Sequence, residues 1–383
     1  MNRRNLLICG MVLLAGCAHL APGGRATTLK GAYAGAFLVG TAVNEAIVSG
    51  ADSASVGIVT RQFNTITAEN VLKAERINPL PGVYAFGPAD AYVEFGRKHG
   101  MFIVGHTLVW HNQTPAWFFT DEQGKPNTPD AQLERMRSHI EAVAGRYAGR
   151  IHAWDVVNEV MDNDGSYRPT TWVRSIGSGD SLVKSAFRFA SRYAPGAELY
   201  YNDFNAWRPA KRDGIVRLVR MLQKAGIRID GVGMQGHWGL DYPKTEYIEA
   251  AIDSFAALGV KVMITELDVD VLPLTKEGQV IGTVMSDPQF QLEEFKTFLD
   301  PYPNGLPAAV QKQLADRYAE LFRIFYGRRS KIARVTLWGV HDGMSWKNGY
   351  PIPGRTNYPL LYSRAHAPKQ AFDAVLAVPR KTK

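Results

Sequence analysis

The stretch His152-Ala153-Trp154-Asp155-Val156-Val157-Asn158-Glu159 decides how this chain is read. It is a short apolar run with β-branched residues that stops abruptly at Asn-Glu, and the polar turn Asp162-Asn163-Asp164-Gly165 follows it. A strand that pushes a carboxylic acid out of its C-terminal end is the sequence signature of a reactive site on a parallel β-barrel, where reacting groups occupy strand ends and the loops behind them. A second run, Val260-Lys261-Val262-Met263-Ile264-Thr265-Glu266-Leu267-Asp268, repeats the pattern further along. Two carboxylates on separate strand ends are the least that hydrolysis of a glycosidic bond requires.

Outward from these two runs, apolar segments and helical patterns alternate. Strands are predicted over residues 37–44, 63–70, 101–110, 151–159, 198–205, 231–238, 260–268 and 332–340. Between them lie amphipathic stretches such as Leu133, Met136, Ile140, Val143 and Tyr147, and likewise Val310, Leu314, Tyr318, Leu321 and Phe325, at spacings of three and four. Eight near-continuous apolar strands alternating with helices argue for an α/β protein with a single (β/α)8 TIM barrel, in preference to a doubly wound open sheet. No internal repeat or low-complexity segment is present. The Gly- and Pro-containing stretch 271–307 reads as an extended loop after the seventh strand, on the reactive side of the barrel.

With 383 residues, 46% hydrophobic and 11% aromatic, the chain suffices for one large core and one catalytic domain. Its formal charge of +8 is spread along the sequence, with only Arg328-Arg329-Ser330-Lys331 and Lys381-Thr382-Lys383 as small clusters. That distribution implies a solvated basic surface and no nucleic-acid partner.

The N-terminus carries its own signals. Arg3-Arg4 precede an apolar segment over residues 6–14, too short to span a bilayer and suited to a secretory leader. It closes on Leu14-Ala15-Gly16-Cys17, which resembles the lipobox of bacterial lipoproteins. Residues 1–16 are thus expected to be a lipoprotein signal peptide and residues 17–28 a tether. The barrel would occupy 29–383, anchored to a membrane by a lipid on Cys17. An ordinary signal peptide with an incidental Cys is the alternative. Ala18 after the Cys, where Asp is absent, points to the outer membrane of a Gram-negative cell, facing the periplasm or the cell surface. Arg3-Arg4-Asn5-Leu6-Leu7 also loosely resembles a twin-arginine export signal. Cys9 and Cys17 are the only cysteines, so once the leader is cleaved no intramolecular disulfide can form, and stability must come from the core.

The predicted strand ends collect one kind of chemistry. In order they offer Glu69, Asn70 and Lys73; His106, Trp110 and Gln113; Asn158 and Glu159; Asn202 and Asp203; Gln235 and His237; Glu266 and Asp268; and Trp338, Asp342 and Trp346. Aromatic faces stack on the apolar faces of a pyranose, while amides and charged groups bind its hydroxyls. Singly, such Trp and His residues are commoner as packing groups; the recurrence at nearly every strand end is what points to a sugar.

The motifs Thr67-Ala68-Glu69-Asn70-Val71-Leu72-Lys73, Gly105-His106-Thr107-Leu108-Val109-Trp110-His111, Trp154-Asp155-Val156-Val157-Asn158-Glu159, Gly233-Met234-Gln235-Gly236-His237, Ile264-Thr265-Glu266-Leu267-Asp268 and Thr336-Leu337-Trp338-Gly339-Val340-His341-Asp342-Gly343-Met344-Ser345-Trp346 resemble glycoside hydrolase family 10, the endo-β-1,4-xylanases. The resemblance spans residues 37–374. It implies a retaining barrel enzyme with Glu159 as acid/base and Glu266 as nucleophile. Asn158 would hold the 2-hydroxyl of the bound sugar. Glu69, Asn70, Lys73, His106, Trp110, Gln113, Gln235, His237, Trp338 and Trp346 would form the glycone subsites. Xylan and xylo-oligosaccharides are the implied substrates, with no metal, no cofactor and a monomeric enzyme. Ala74 departs from the family, which usually has Trp after the lysine.

These roles also make physical sense. An acid that protonates a glycosidic oxygen near neutral pH needs a raised pKa, while the nucleophile must stay ionised. The apolar sequence neighbours of Glu159 predict a proton held longer. Asp268 lies on the same strand face as Glu266 and is placed to orient His237, which would donate to Glu266. Three rivals remain at this level. A metal-dependent barrel hydrolase would use His106, His111 and Asp342, but there is no His-x-His pair. A non-catalytic glycan-binding surface lipoprotein would not need both glutamates. An endo-β-1,4-glucanase of similar barrel type is the nearest alternative.

Overall fold

The computed structural model describes residues 27–272, 299–350 and 354–381. The expected signal peptide, Cys17 and most of the tether lie outside them, as does the greater part of the loop expected after the seventh strand. The strands are β1 (Leu38–Val43), β2 (Thr65–Ala68), β3 (Phe102–Val109), β4 (Ala153–Asn158), β5 (Glu198–Asp203), β6 (Gly231–Met234), β7 (His237–Gly239), β8 (Lys261–Asp270) and β9 (Ile332–Leu337). They pair in parallel in the order β6-β5-β4-β3-β2-β1-β9-β8, and pairing of β6 with β8 closes the ring. This is the (β/α)8 barrel expected from the alternation. Each predicted strand is present, but the sixth is interrupted. Residues 235–236 separate β6 from β7, and β7 pairs with the extended end of β8, His237 opposite Asp268.

Helices wrap the ring where apolar residues recur every three or four positions. The helix Pro129–Arg146 starts at Thr128, whose hydroxyl accepts from the Ala131 N–H, with Pro in the first turn; Met136, Ile140 and Val143 are buried on its inner side, and Tyr147 just beyond its end. The helix Ala308–Gly327 likewise buries Leu314, Tyr318, Leu321 and Phe325. One apolar cluster joins both layers, with Ile66, Ile103, Trp154, Leu199, Ile264 and Val335 from the strands and Met136, Phe187, Leu218 and Phe322 from the helices. Adjacent strand residues point the other way, and Ala153, Tyr200 and Met263 form a separate small cluster. Because all strands run in parallel, every C-terminal strand end reaches the same face of the barrel.

Candidate active site

Glu159 is the first residue beyond β4 and has a φ of +59°, in the left-handed region that a non-glycine residue enters at a cost of about 1–2 kcal/mol. Its backbone N–H donates to the Asn202 carbonyl at 2.9 Å, which fixes the bend against β5. The turned side chain is buried, with Oε1 accepting from Gln235 Nε2 at 2.8 Å and Oε2 from Trp110 Nε1 at 2.9 Å. Burial alone would raise its pKa; the Gln235 bond, the nearby His111 and the Trp110 bond outweigh it, and the carboxyl is held below its ordinary value. This corrects the expectation of a raised pKa. Val156 and Val157 are sequence neighbours but pack in the core, so the donors that actually face the carboxyl come from the ends of β3 and β6.

Glu266 lies inside β8. Asn202 Nδ2 donates to its Oε1 at 2.8 Å, and His237 Nε2 faces its Oε2 at 3.1 Å. The other ring nitrogen of His237 lies 3.0 Å from Asp268 Oδ2, which also accepts from Trp346 Nε1 at 2.9 Å. Burial would lower the His237 pKa, but the Asp268 carboxylate, its hydrogen bond and the Glu266 bond push it up to about 9. Asp268 is held low: His237 and Lys347 overcome the effect of burial. At neutral pH His237 is therefore an imidazolium shared by two carboxylates.

The two glutamates are tied together. Asn202 Oδ1 accepts from Thr265 Oγ1 at 2.6 Å, which aims its Nδ2 at Glu266, and the Asn158 amide lies 3.0 Å from the same Nδ2. The Asn158 amide turned end for end would accept from Trp110 Nε1 at 3.2 Å instead, and the Asn202 and Gln235 bonds to the glutamates persist either way. Gly236 has a φ of +87°, and this turn sends Gln235 to one glutamate and His237 to the other.

A continuous row leads away from Glu159. Lys73 Nζ sits 5.0 Å over the Trp110 ring and donates to Asn70 Oδ1 at 3.0 Å, and Gln113 Nε2 reaches the same oxygen at 3.4 Å. Burial lowers the Lys73 pKa despite Glu266, Glu69 and Glu159, and burial raises that of Glu69 against the pull of Lys73 and Asn70. His106 Nδ1 is fixed by Asp155 Oδ2 at 2.8 Å, and its ring meets Trp338 edge-on at 5.4 Å. Trp346 packs against His237 with ring centroids 4.9 Å apart. The residues expected as the catalytic pair, the glycone subsites and the His237 partner Asp268 thus fall in one connected constellation on the C-terminal face.

Asp342 does not join them. Although it follows the last strand, it is buried, accepts from Lys369 Nζ at 3.0 Å and from the Leu360 N–H at 2.9 Å. Ala74 is buried in the apolar core. Sequence reasoning placed Asn202 at a strand end but gave it no task, and missed Asp155 as the partner of His106. It also missed the fully buried pair Lys211–Asp203, 2.6 Å apart, directly after Asn202. A lysine in the first turn of the helix after β5 was the available signal.

Among the described residues, Asp52, His341 and His366 alone bring three potential metal-ligand atoms within 4.8 Å of one another. His341 Nδ1 accepts from the Gly343 N–H at 3.1 Å, and its Nε2 lies 3.8 Å from Asp52 Oδ2. The trio is an ion-pair contact between the first and last barrel units, with His341 Nε2 at 3.8 Å and His366 Nε2 at 3.5 Å from the Asp52 carboxylate. Two hollows of similar size matter differently. One of about 550 Å³ opens beside Asn70 and Gln113; another of about 530 Å³ lies at the starts of β8 and β9, away from both glutamates.

A parallel barrel that gathers two held carboxylates, amides and indoles on one face defines a glycoside hydrolase. The chain belongs to glycosyl hydrolase family 10, whose pattern it matches over residues 28–378. It is 44% identical over 349 residues to "Endo-1,4-beta-xylanase A" of Xylanibacter ruminicola, covering 91% of this chain and 92% of that protein. It is similar to a solved GH10 endoxylanase retrieved from a sugarcane soil metagenome, with a TM-score of 0.85, 41% identity, and 92% and 100% of the two chains covered. A mutant structure in complex with xylotriose superposes with a TM-score of 0.80 at 34% identity, over 92% and 99% of the chains.

Proposed function

We propose that this protein is an endo-1,4-β-xylanase (EC 3.2.1.8) that hydrolyses internal bonds of xylan and xylo-oligosaccharides by double displacement, with retention of anomeric configuration. The observation that carries the mechanism is the division of partners between the carboxyls. Glu266 accepts from Asn202 and lies 3.1 Å from His237, whose own pKa is pushed up to about 9, and these two partners hold its carboxyl in place for attack on the anomeric carbon. As the glycosidic C–O bond breaks, Glu159 gives its proton to the leaving oxygen, and a covalent ester forms on Glu266. In the second step Glu159 takes a proton from water, which attacks the anomeric carbon and frees Glu266. The Gln235 and Trp110 donors favour the ionised Glu159 that this second step needs. The rows of amides and indoles, and the resemblance to proteins named as xylanases, support the substrate.

Proton NMR of the first product released from xylan tests the mechanism: the β anomer precedes mutarotation, and an initial α anomer rules Glu266 out as nucleophile. Turnover on carboxymethyl-cellulose equal to that on xylan would favour a glucanase.

The protein is further proposed to be a monomer exported to the outer membrane through a lipid on Cys17. Cys17→Ala should then leave unprocessed precursor or release the protein from the membrane fraction; unchanged processing and membrane association would refute the anchor.

A further inference from the structure

Arg334 stands on β9, opposite Met263 of β8 and Leu38 of β1. It is 2% exposed, and its guanidinium reaches across the barrel interior to lie 5.6 Å over the Tyr200 ring on β5. A buried charge is ordinarily paired, because taking it out of water is costly. Yet among the described residues none of its three nitrogens has a hydrogen-bond partner. The same interior holds the hydroxyls of Thr65, Thr67 and Thr336 and the Oδ1 of Asp155, all buried and equally without partners. Thr65 and Thr336 are both register partners of Gly40, where a methyl group would meet Thr65 Cγ2 at 2.5 Å and Thr336 Oγ1 at 3.3 Å, so both side chains lean inward. Asp155 is the register partner of Tyr200 and shares its inward face. Burial pushes the Tyr200 hydroxyl up, Arg334 pulls it down and Asp155 adds to the rise, so both charges act on one ring.

The chemistry of these groups identifies what joins them. Arg334 only donates, the Asp155 oxygen accepts, and the threonine hydroxyls do both. A small anion would satisfy Arg334 but repel the Asp155 oxygen, whereas water accepts from the one and donates to the other. Through its second oxygen Asp155 holds His106 Nδ1 at 2.8 Å, and the His106 ring meets Trp338 edge-on within the constellation that faces the sugar. We propose that Arg334 is a positioning residue for the hydrolysis: through ordered water it fixes Asp155, and through Asp155 it fixes the ring of His106 against the sugar. The proposal rests on the xylanase reading, in which His106 lines a glycone subsite.

An aryl β-xylobioside reports on that subsite. Arg334→Met keeps the bulk and removes the donors, and should lower kcat/KM about tenfold, the worth of one or two net hydrogen bonds. The same substitution on top of His106→Ala should cost about twofold or less, because the group it acts through is gone. Arg334→Lys should recover most of the activity, since a bridging water tolerates a shifted ammonium where a direct guanidinium pair would not. An equal loss with and without His106, or no loss at all, overturns the positioning role, and so does a lysine variant no better than methionine. If Arg334→Met does not fold, Arg334→Gln, polar but too short to reach the same water, takes its place in the cycle. A crystal structure in which water joins Arg334 to Asp155 Oδ1 supports the link; an anion on the guanidinium, or waters that bypass Asp155, overturns it. Failure of the unmutated enzyme to hydrolyse the xylobioside overturns the xylanase reading and this role with it.

Discussion

Trp110 donates its indole N–H to Glu159 across 2.9 Å, so the ring beneath Lys73 also favours the ionised form of that carboxyl. Trp110→Phe removes the donor and keeps most of the ring. With one stabiliser of its ionised form gone, Glu159 should hold its proton to higher pH. The alkaline limb of the kcat/KM profile should move up by roughly half to one pH unit. A profile that falls in amplitude without moving would show that the bond positions Glu159 and does not tune it.

The two glutamates should fail in different ways. Glu266→Ala removes the attacking group and abolishes turnover of every substrate. Glu159→Ala should spare the first step for aryl glycosides whose leaving groups need no proton, and then stall at the intermediate. Azide should rescue the Glu159→Ala variant and yield a β-glycosyl azide, detected by mass spectrometry and NMR. An α-azide, or rescue of Glu266→Ala with a β product, would contradict the assignment.

Lys211 and Asp203 are both fully buried, and burial raises the Asp203 pKa to about 6 even against the pull of Lys211. Lys211→Met strands the carboxylate and should cost about 3–5 kcal/mol at neutral pH, while the double variant with Asp203→Leu should recover much of it. The stranded Asp203 has its folded pKa raised further, so its contribution is most favourable below the unfolded value and is lost as pH rises. The melting temperature of Lys211→Met should therefore approach that of the unmutated protein toward pH 5 and fall away toward pH 8. A gap independent of pH would mean that lost packing, not charge, is responsible.

The His237 pKa of about 9 lies above the ordinary 6.5, so its ion pairs stabilise the fold fully below pH 6.5 and lose that effect as pH rises through 9. Thermal melts between pH 6 and 10 should show this decline, and Asp268→Asn should flatten it. An identical slope in that variant would place the titrating group elsewhere.

Much of this was legible in the primary structure, for physical reasons that also mark its limits. The strands showed because a parallel barrel buries both strand faces, and Glu159 and Glu266 showed because a carboxylate ending such a run has few structural uses. What sequence proximity could not supply was direction across strands. Asn202 bonds Glu266 only because β5 lies beside β6, which lies beside β8. Val156 and Val157 suggested an apolar surrounding for Glu159, yet its side chain is turned by the positive φ toward Gln235 and Trp110. Asp342 matched its motif, but Lys369, far along the chain, claims it.

The two-residue interruption between β6 and β7 has a mechanical meaning. Gln235 and His237 are separated by a single glycine, and each contacts one of the two glutamate carboxyls. The backbone at this turn is anchored too, since the Gln235 carbonyl accepts from the Glu266 N–H at 2.6 Å and the Gly236 carbonyl from the Asp268 N–H at 3.2 Å. The separation between the Glu159 and Glu266 carboxyls is thus gauged by one short rigid caliper. A bulky residue at position 236 would spoil catalysis by miscalibrating a distance while leaving both glutamates in the sequence.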